Sequence, residues 1–262
     1  MKSKSLLHHK SYYIVYALLT SILFLNSCNP PKPSDEPFKA TPYTLKIPKY
    51  FPTILNIPDD NPMTVEGVKL GRYLFYDGRL RGYNGDNPDS LMSCATCHIQ
   101  AHGFECGLNH PKFINGKTHG INGKPTPHSM MPLCNLVFNS NGYFWNGMIY
   151  TQNSNPKRRN IENIVSMGIT AEHEMNSSIA RTVTTIKNIS IYPPMFKAAF
   201  GTEEVTIERI EKAIAQFIRT LISGNSKFDR YIRGIEQLSP DELAGFVLFT
   251  TEEGADCFHC HG

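Results

Sequence analysis

Two short segments of the sequence carry the same arrangement of thiol and imidazole groups. Each reads Cys-x-x-Cys-His, at residues 94–98 and again at 257–261. Two thiols three positions apart on a helical turn reach the two vinyl groups of one porphyrin, and the adjacent His binds the iron axially. The pattern therefore predicts two covalently attached haem c groups. The predicted attachment residues are Cys94, Cys97, Cys257 and Cys260, and the predicted proximal iron ligands are His98 and His261.

A Cys-x-x-Cys pair has two other chemistries, as half of a zinc site or as a dithiol redox centre. A zinc site usually places its second pair within about twenty residues, whereas these two pairs lie 163 residues apart. A thioredoxin-like dithiol needs a βαβ context, which the hydrophobic pattern does not show. Two further cysteines, Cys106 and Cys134, are consistent with either a disulfide or two free thiols.

The N-terminal residues have the features of an export signal. A basic stretch precedes an apolar run from Tyr12 to Leu25, which is too short to cross a bilayer comfortably. The run ends in Leu-Asn-Ser-Cys, which resembles a bacterial lipobox with Cys28 as the lipidated residue. We therefore predict a lipoprotein signal peptide at residues 1–27 and an exported, periplasmic protein anchored to the membrane. A plain signal peptide with an incidental Cys is the alternative.

The net positive charge of the chain belongs to this leader. The 262 residues carry a net charge of +3, but residues 1–27 hold three Lys and no acid. The remainder is neutral, so a basic surface for nucleic acid is not supported. The composition, 40% hydrophobic and 19% charged, is that of a globular protein. Residues 28–60 begin with a proline-rich stretch and predict an extended tether to the globular body.

Periodic apolar positions predict the helices that must position the two motifs. Residues 64–76 predict an amphipathic helix before the first motif, and residues 206–223 predict the clearest helix of the chain. The capping box Ser-Pro-Asp-Glu at 239–242 predicts the start of a helix that leads to Cys257. Residues 99–145 lack regular periodicity and predict a long structured loop.

These elements predict a mostly α fold with a cytochrome c-like domain around each haem. The domain boundaries we expect are 61–232 for the first haem domain and 233–262 for the start of the second. Because one residue follows His261 in this sequence, we expect residues 233–262 to hold only part of the second domain.

The reactivity of the first haem depends on side chains beyond the attachment motif. An iron with one protein ligand is open for chemistry, whereas an iron with two strong ligands carries electrons. Peroxide chemistry also needs a buried acid–base group. The loop histidines that could supply a second ligand are His102, His110, His119 and His128, and the nearby carboxylates are Glu162, Glu172 and Glu174. The single tryptophan, Trp145, is either an electron relay or a core aromatic residue.

From residue 62 to residue 262 the chain resembles the bacterial di-haem cytochrome c peroxidase family, which includes the methylamine-utilisation di-haem enzymes. The resemblance is carried by residues 70–80, 93–98, 144–147, 174–175 and 221–229 and by the second Cys-x-x-Cys-His motif. It implies a helical two-domain protein with a peroxidatic haem on His98 and an electron-accepting haem on His261. The implied substrate is hydrogen peroxide, and the implied donor is a cytochrome c or a cupredoxin.

The resemblance also implies roles for individual residues. Glu174, which precedes Met175, corresponds to the distal acid, and Trp145 corresponds to a tryptophan between the two haems. His119 resembles the histidine that caps the peroxidatic iron in members that need reductive activation. The sequence departs from the family at residues 145–148, where Trp-Asn-Gly-Met replaces Trp-Asp-Gly-Arg. It also departs at Ile164, where the family often has Gln, and at residues 128–129, where His-Ser replaces Arg-Asn and weakens the inter-domain calcium site.

The leading hypothesis from the sequence is therefore a di-haem cytochrome c peroxidase. The alternatives are a non-catalytic electron-transfer cytochrome, a related oxidase of a protein or small organic substrate, and an inactive fragment of such an enzyme. A bound calcium ion and a homodimer are two further features that the resemblance raises as alternatives.

Overall fold

The computed structural model describes residues 38–82, 91–139, 142–144 and 161–261. Helices dominate these residues, and the only strands among them form one short antiparallel hairpin. The predicted mostly α fold is confirmed. The helices are α1 (Val65–Tyr76), α2 (Ile161–Thr170), α3 (Ile179–Lys187), α4 (Tyr192–Phe200), α5 (Ile207–Arg219), α6 (Lys227–Ile232), α7 (Pro240–Thr250) and α8 (Phe258–His261), and the strands are β1 (Phe113–Ile114) and β2 (Lys117–Thr118).

Local capping explains where the predicted helices begin. The Thr64 hydroxyl accepts a hydrogen bond from the main-chain N–H of Gly67 at the start of α1. At the start of α7, Ser239 and Glu242 form the predicted capping box, with Pro240 in the first turn. These contacts are local in sequence, which is why the capping residues predict them.

Helix α5 ends at Arg219, four residues earlier than its predicted end. The segment after Arg219 is held by hydrogen bonds to Asn135 instead of by helical ones. The side chain of Asn135 donates to the carbonyl oxygen of Ser223 at 3.0 Å and accepts from the Ser223 main-chain N–H at 2.8 Å. The main-chain N–H of Asn135 donates to the carbonyl oxygen of Leu221 at 2.8 Å. These bonds replace the helical ones and turn the chain towards α6.

Helices α1 and α5 form the centre of the core. Their backbones approach closely at Gly71, where an added Cβ would lie 1.8 Å from the carbonyl oxygen of Ala213. No other residue type fits at that position. Leu70 and Leu74 of α1 and Ile210 and Ile214 of α5 are fully buried around this crossing. Helices α2 and α4 pack against the same pair and complete the hydrophobic core.

A buried ion pair links α5 to α2. The guanidinium of Arg219, whose side chain is fully buried, donates to both carboxylate oxygens of Glu162 at 2.7 and 2.8 Å. Asn61 donates to the same carboxylate at 2.5 Å, and Gln216 donates to Asn61 at 2.8 Å. The network therefore also holds the segment that precedes α1. It assigns Glu162, one of the candidate carboxylates, to the framework of the protein.

The N-terminal segment is described from residue 38 onward. Thr41 accepts a hydrogen bond from the main-chain N–H of Val65 at 2.9 Å, and Tyr43 donates to Met63 at 2.9 Å. This part of the predicted tether therefore runs along the start of α1. The predicted signal peptide (1–27) and lipidation site (Cys28) lie outside the described residues. In the described part of the chain, no helix has the length and apolar character needed to cross a membrane.

Candidate haem-binding site

The first Cys-x-x-Cys-His motif forms a single helical turn. A 3₁₀ turn spans Cys94–Thr96, and the main-chain N–H of His98 donates to the carbonyl oxygen of Cys94 at 2.9 Å. The turn begins at Ser93, whose main-chain N–H donates to the hydroxyl of Thr96 at 3.0 Å. A helical turn of this kind presents both thiols and the imidazole to the same neighbourhood, as covalent haem attachment requires.

The imidazole of His98 is fixed in the tautomer that an axial iron ligand needs. Its Nδ1 donates to the carbonyl oxygen of Phe104 at 2.8 Å, which leaves the lone pair of Nε2 free to bind a metal. The loop that provides this carbonyl turns back at Gly103, with a φ of 66°, and closes by a hydrogen bond from Ile99 to Glu105. Burial lowers the pKa of His98 to about 4, so the ring is neutral at neutral pH.

Glu174 lies close to this turn. Its main-chain N–H donates to the carbonyl oxygen of Ala171 at 3.0 Å, in the turn that follows α2. Burial is the main cause that raises the pKa of Cys94 and of Cys97 to about 12, and the charge of Glu174 adds to both shifts. The predicted acid and the predicted attachment thiols are therefore near neighbours.

The carboxylate of Glu174 is deep in the protein but borders open space. Burial raises its pKa, although 42% of its side chain remains exposed. Protein atoms therefore surround much of the carboxylate, while part of its side chain stays accessible to solvent. A raised pKa suits a carboxyl group that must both take and give a proton.

The hairpin places His119 next to the Glu174 segment. Strands β1 and β2 are joined by Asn115 and Gly116, both with positive φ as a tight hairpin turn requires. After the hairpin, the main-chain N–H of Ile121 donates to the carbonyl oxygen of Glu174 at 2.9 Å. Gly120 lies so close that an added Cβ would be 2.5 Å from the main-chain carbonyl of His173.

The hairpin also contacts the attachment turn. Ile121 packs with Cys97 and Met92 in a small buried cluster. The ring Nδ1 of His119 lies 3.2 Å from the carbonyl oxygen of Lys117 and 3.3 Å from that of Lys112, so these two contacts use Nδ1 and not Nε2. The structure thus brings Cys97, the His119 segment and Glu174 into one region.

The other loop histidines make local contacts. The Nδ1 of His102, an exposed residue, donates to the carbonyl oxygen of Cys106 at 3.2 Å. The Nδ1 of His110 accepts from the main-chain N–H of Lys112 at 3.2 Å. His128 is exposed. Glu172, another candidate carboxylate, is exposed and forms an ion pair with Lys124.

Cys106 and Cys134, which lie outside the motifs, are free thiols in the structure. Cys106 is buried, and the thiol of Cys134 lies 3.3 Å from the carbonyl oxygen of Gly103. The structure therefore shows two free thiols rather than a disulfide between Cys106 and Cys134.

The second motif also ends in a helical turn. Helix α8 contains its last four residues, and the main-chain N–H of Cys260 donates to the carbonyl oxygen of Cys257 at 3.2 Å. Cys260 is exposed and Cys257 is partly buried. The carboxylate of Asp256 contacts the ring of His259. The side chain of His261 and the whole of Trp145 lie outside the described residues.

Sequence reasoning missed two features of this region. The first is His173, whose Nε2 lies 3.8 Å from the Oε1 of Glu174. Only its position next to Glu174 in the sequence could have indicated it. The second is Gly168, where an added Cβ would lie 3.1 Å from the Oε2 of Glu174. No sequence signal indicated that this glycine leaves room for the carboxylate.

The donor set at the first motif fits haem c. It offers two thiols on one turn, a neutral imidazole with a fixed tautomer, and a carboxylate beside them. These features define a helical protein with a c-type haem attachment site beside a partly buried acid.

The comparisons with known proteins identify the family. Residues 65–237 match the profile of the di-haem cytochrome c peroxidase family, and the chain belongs to that family. Members of this family are oxidoreductases whose name implies two haem groups in one protein.

Individual relatives agree with this assignment. The chain is 35% identical to the methylamine utilization protein MauG of Methylorubrum extorquens, over 78% of this chain and 51% of the relative. It is 29% identical to the cytochrome c551 peroxidase of Nitrosomonas europaea, over 76% of this chain and 52% of the relative. The chain thus spans about half the length of the curated relatives it matches.

Solved structures show the same fold. A MauG-like protein associated with microbial copper homeostasis superposes with a TM-score of 0.66 at 30% identity, covering 84% of this chain and 58% of that protein. The di-haem peroxidase BthA of Burkholderia thailandensis superposes with a TM-score of 0.63 at 18% identity, covering 86% of this chain and 58% of that protein.

Proposed function

We propose that the protein is an exported di-haem peroxidase that reduces hydrogen peroxide to water. The electrons come from a small donor protein, a cytochrome c or a cupredoxin. The observation that carries the proposal is the position of Glu174, a carboxylate of raised pKa beside the Cys94 and Cys97 thiols. A cytochrome that only transfers electrons has no need of an acid at this place.

The side chains of the first motif hold and orient the cofactor. Cys94 and Cys97 would form the thioether bonds, and His98 would offer Nε2 to the iron while the carbonyl oxygen of Phe104 orients its ring. When bound, the haem would supply the redox chemistry of its iron. Glu174 accepts a proton from one peroxide oxygen and returns it to the other, which lets the second oxygen leave as water.

For the second haem motif and for Trp145, the proposal is supported by the family resemblance. Cys257, Cys260 and His261 would hold the electron-accepting haem, and Trp145 would lie on the electron route between the two groups. The haem domains would then span residues 61–232 and 233–262. The lipobox-like end of the leader supports a lipid on Cys28 and a periplasmic, membrane-anchored protein. The proposal includes neither calcium nor a homodimer.

The replacement of Glu174 by Gln tests this function. The full chain would be produced in a host that matures c-type cytochromes, and its haem content would be measured before its peroxide turnover. We expect Glu174→Gln to abolish turnover with both haems attached. Glu172→Gln is the matched control, because Glu172 is exposed and paired with Lys124. Undiminished turnover in Glu174→Gln would show that another group is the acid.

One observation favours a second candidate, an electron-transfer cytochrome. His119 stands on a hairpin that is bonded to the Glu174 segment, where it could cap the first iron. Optical and electron paramagnetic resonance spectra of the oxidised protein distinguish the two functions. Two six-coordinate irons that do not respond to peroxide would support the cytochrome and contradict the peroxidase.

A further inference from the structure

A peroxidase must import protons as well as electrons. The reduction of one peroxide follows H₂O₂ + 2 H⁺ + 2 e⁻ → 2 H₂O, so each turnover takes two protons from solvent. Glu174 moves a proton between the two peroxide oxygens, and that transfer imports none. The accessible side of the Glu174 carboxylate has to face the peroxide during this transfer, so a neighbouring group in contact with solvent can supply the imported protons.

We propose that His173 is this group and that it delivers protons from solvent to the Glu174 carboxylate. The inference rests on the proposed peroxidase function. In each delivery, the imidazolium form of His173 passes its Nε2 proton to a carboxylate oxygen of Glu174 and becomes neutral imidazole, which then takes up another H⁺ from bulk solvent. The two protons of one turnover arrive by two such deliveries, and the donor protein supplies the two electrons.

The geometry connects the two side chains to each other and to solvent. The Nε2 of His173 lies 3.8 Å from the Oε1 of Glu174, a gap that a small ring rotation closes to hydrogen-bond distance. The side chain of His173 is 36% exposed, so it contacts solvent as well as lying near the carboxylate. Imidazole exchanges protons in the physiological pH range, as a relay group must.

The main chain sets this spacing. The main-chain N–H of Glu174 donates to Ala171, and its carbonyl oxygen accepts from Ile121. The carbonyl of His173 is packed against Gly120. Both residues are therefore held by the turn after α2 on one side and by the hairpin on the other. The two side chains keep their separation without a direct bond between them.

The charged groups near His173 each contact a group other than its ring. Glu172 is neutralised by its ion pair with Lys124. The ammonium of Lys112 lies 3.3 Å from the carbonyl oxygen of Gly120, and the ring of His119 is directed to main-chain carbonyls. Among the described residues, His173 is the one whose charge acts on Glu174, and it lowers the pKa that burial raises. The relay is thus coupled electrically to its target.

The experiment compares His173→Gln with wild type in the haem-loaded full chain. We expect kcat for peroxide to fall about tenfold to a hundredfold with KM unchanged, because delivery of the proton becomes limiting. Added imidazole should restore turnover in His173→Gly, which has room for the free ring. Lys187→Gln is the control, since it removes an exposed cation from α3. An unchanged kcat and pH profile in His173→Gln would overturn the relay.

A second readout does not depend on turnover. The carboxyl infrared band of Glu174, titrated in both proteins and identified by its loss in Glu174→Gln, reports the pKa of this residue. We expect a higher pKa in His173→Gln, because the imidazolium charge that lowers it is gone. An identical titration would overturn the coupling. No turnover in wild type would refute the peroxidase function and, with it, the relay, whatever the titration shows.

Discussion

The main-chain N–H of Ile121 donates to the carbonyl oxygen of Glu174 across 2.9 Å. This bond joins the end of the hairpin to the turn that carries the proposed acid. The side chain of Ile121 packs with Cys97, so the same residue also contacts the haem attachment turn. The position of the acid relative to the attachment site therefore depends on the hairpin, and that dependence can be tested at Gly120.

The replacement Gly120→Ala should separate the hairpin from the Glu174 turn. The new Cβ would lie 2.5 Å from main-chain atoms of His173, which cannot move as a flexible side chain would. We expect a loss of about 1–3 kcal/mol in the free energy of unfolding, together with lower peroxide turnover. Denaturant unfolding of the haem-loaded protein measures the first effect.

Gly245→Ala is the control for this substitution. Gly245 lies inside α7, and nothing lies within 4 Å of an added Cβ. Alanine is preferred to glycine in a helix by about 1 kcal/mol, so this variant should be more stable than wild type. Equal effects of the two substitutions would contradict the close packing of Gly120 against His173.

Much of the fold follows from local sequence signals. Helices α1 and α5 begin where the apolar periodicity predicts, and α7 begins at its predicted capping box, which joins residues three positions apart. The hairpin was not predicted, since strands of two residues are too short to show a period. The Arg219–Glu162 network was also missed, because its partners are brought together only by packing of the helices.

The candidate site also has a part that the sequence predicts and a part that it does not. The attachment motif is contiguous, so its chemistry is visible in the sequence. The choice of Glu174 over Glu162 and Glu172 needed the family resemblance, because the residues alone do not show which carboxylate is near the motif. The structure separates the three by their partners, with Glu162 on Arg219, Glu172 on Lys124, and Glu174 beside the thiols.

Glu174→Gln should also change the pH dependence of stability. Burial raises the pKa of Glu174 in the folded protein above its value in the unfolded chain. The folded state therefore binds this proton more tightly, and its contribution to stability is present at low pH and lost as pH rises above the unfolded value of about 4.3. A glutamine has no proton to lose.

The measurement is the melting temperature of both proteins between pH 4 and pH 8. The melting temperature of Glu174→Gln should increase relative to that of wild type as the pH rises. A difference that moves the other way would mean that the charged carboxylate is stabilised in the folded protein, and would contradict the raised pKa.

Cys97→Ser should weaken or prevent covalent attachment of the first haem. The serine hydroxyl forms no thioether, so at most one bond through Cys94 remains at this site. Haem content per chain, measured by pyridine haemochrome absorbance and by intact mass, should fall below that of wild type. Cys134→Ser is the control, because Cys134 is a free thiol outside both motifs. Equal haem content in the two variants would show that Cys97 does not attach a haem.

Glu162→Ala should destabilise the protein strongly without affecting the attachment chemistry. Arg219 would keep its fully buried guanidinium but lose the carboxylate that accepts from it at 2.7 and 2.8 Å. Removing one partner of a buried ion pair costs about 3–5 kcal/mol, and denaturant unfolding measures that loss.

Two further variants show whether the cost comes from the stranded charge. Replacing both partners by apolar residues, as Glu162→Leu with Arg219→Met, leaves no unpaired charge and should recover much of the stability. Glu208→Ala removes one of the two exposed partners of Lys212 on α5, at 2.9 Å, while Asp60 remains at 3.1 Å, and should cost about 1 kcal/mol or less. If the double variant is as unstable as Glu162→Ala, the unpaired charge is not the cause of the loss. The ion pair would then stabilise the fold through its other interactions. In that case the hydrogen bonds from Asn61 and to Asn56 would carry the difference, because both depend on the same two side chains.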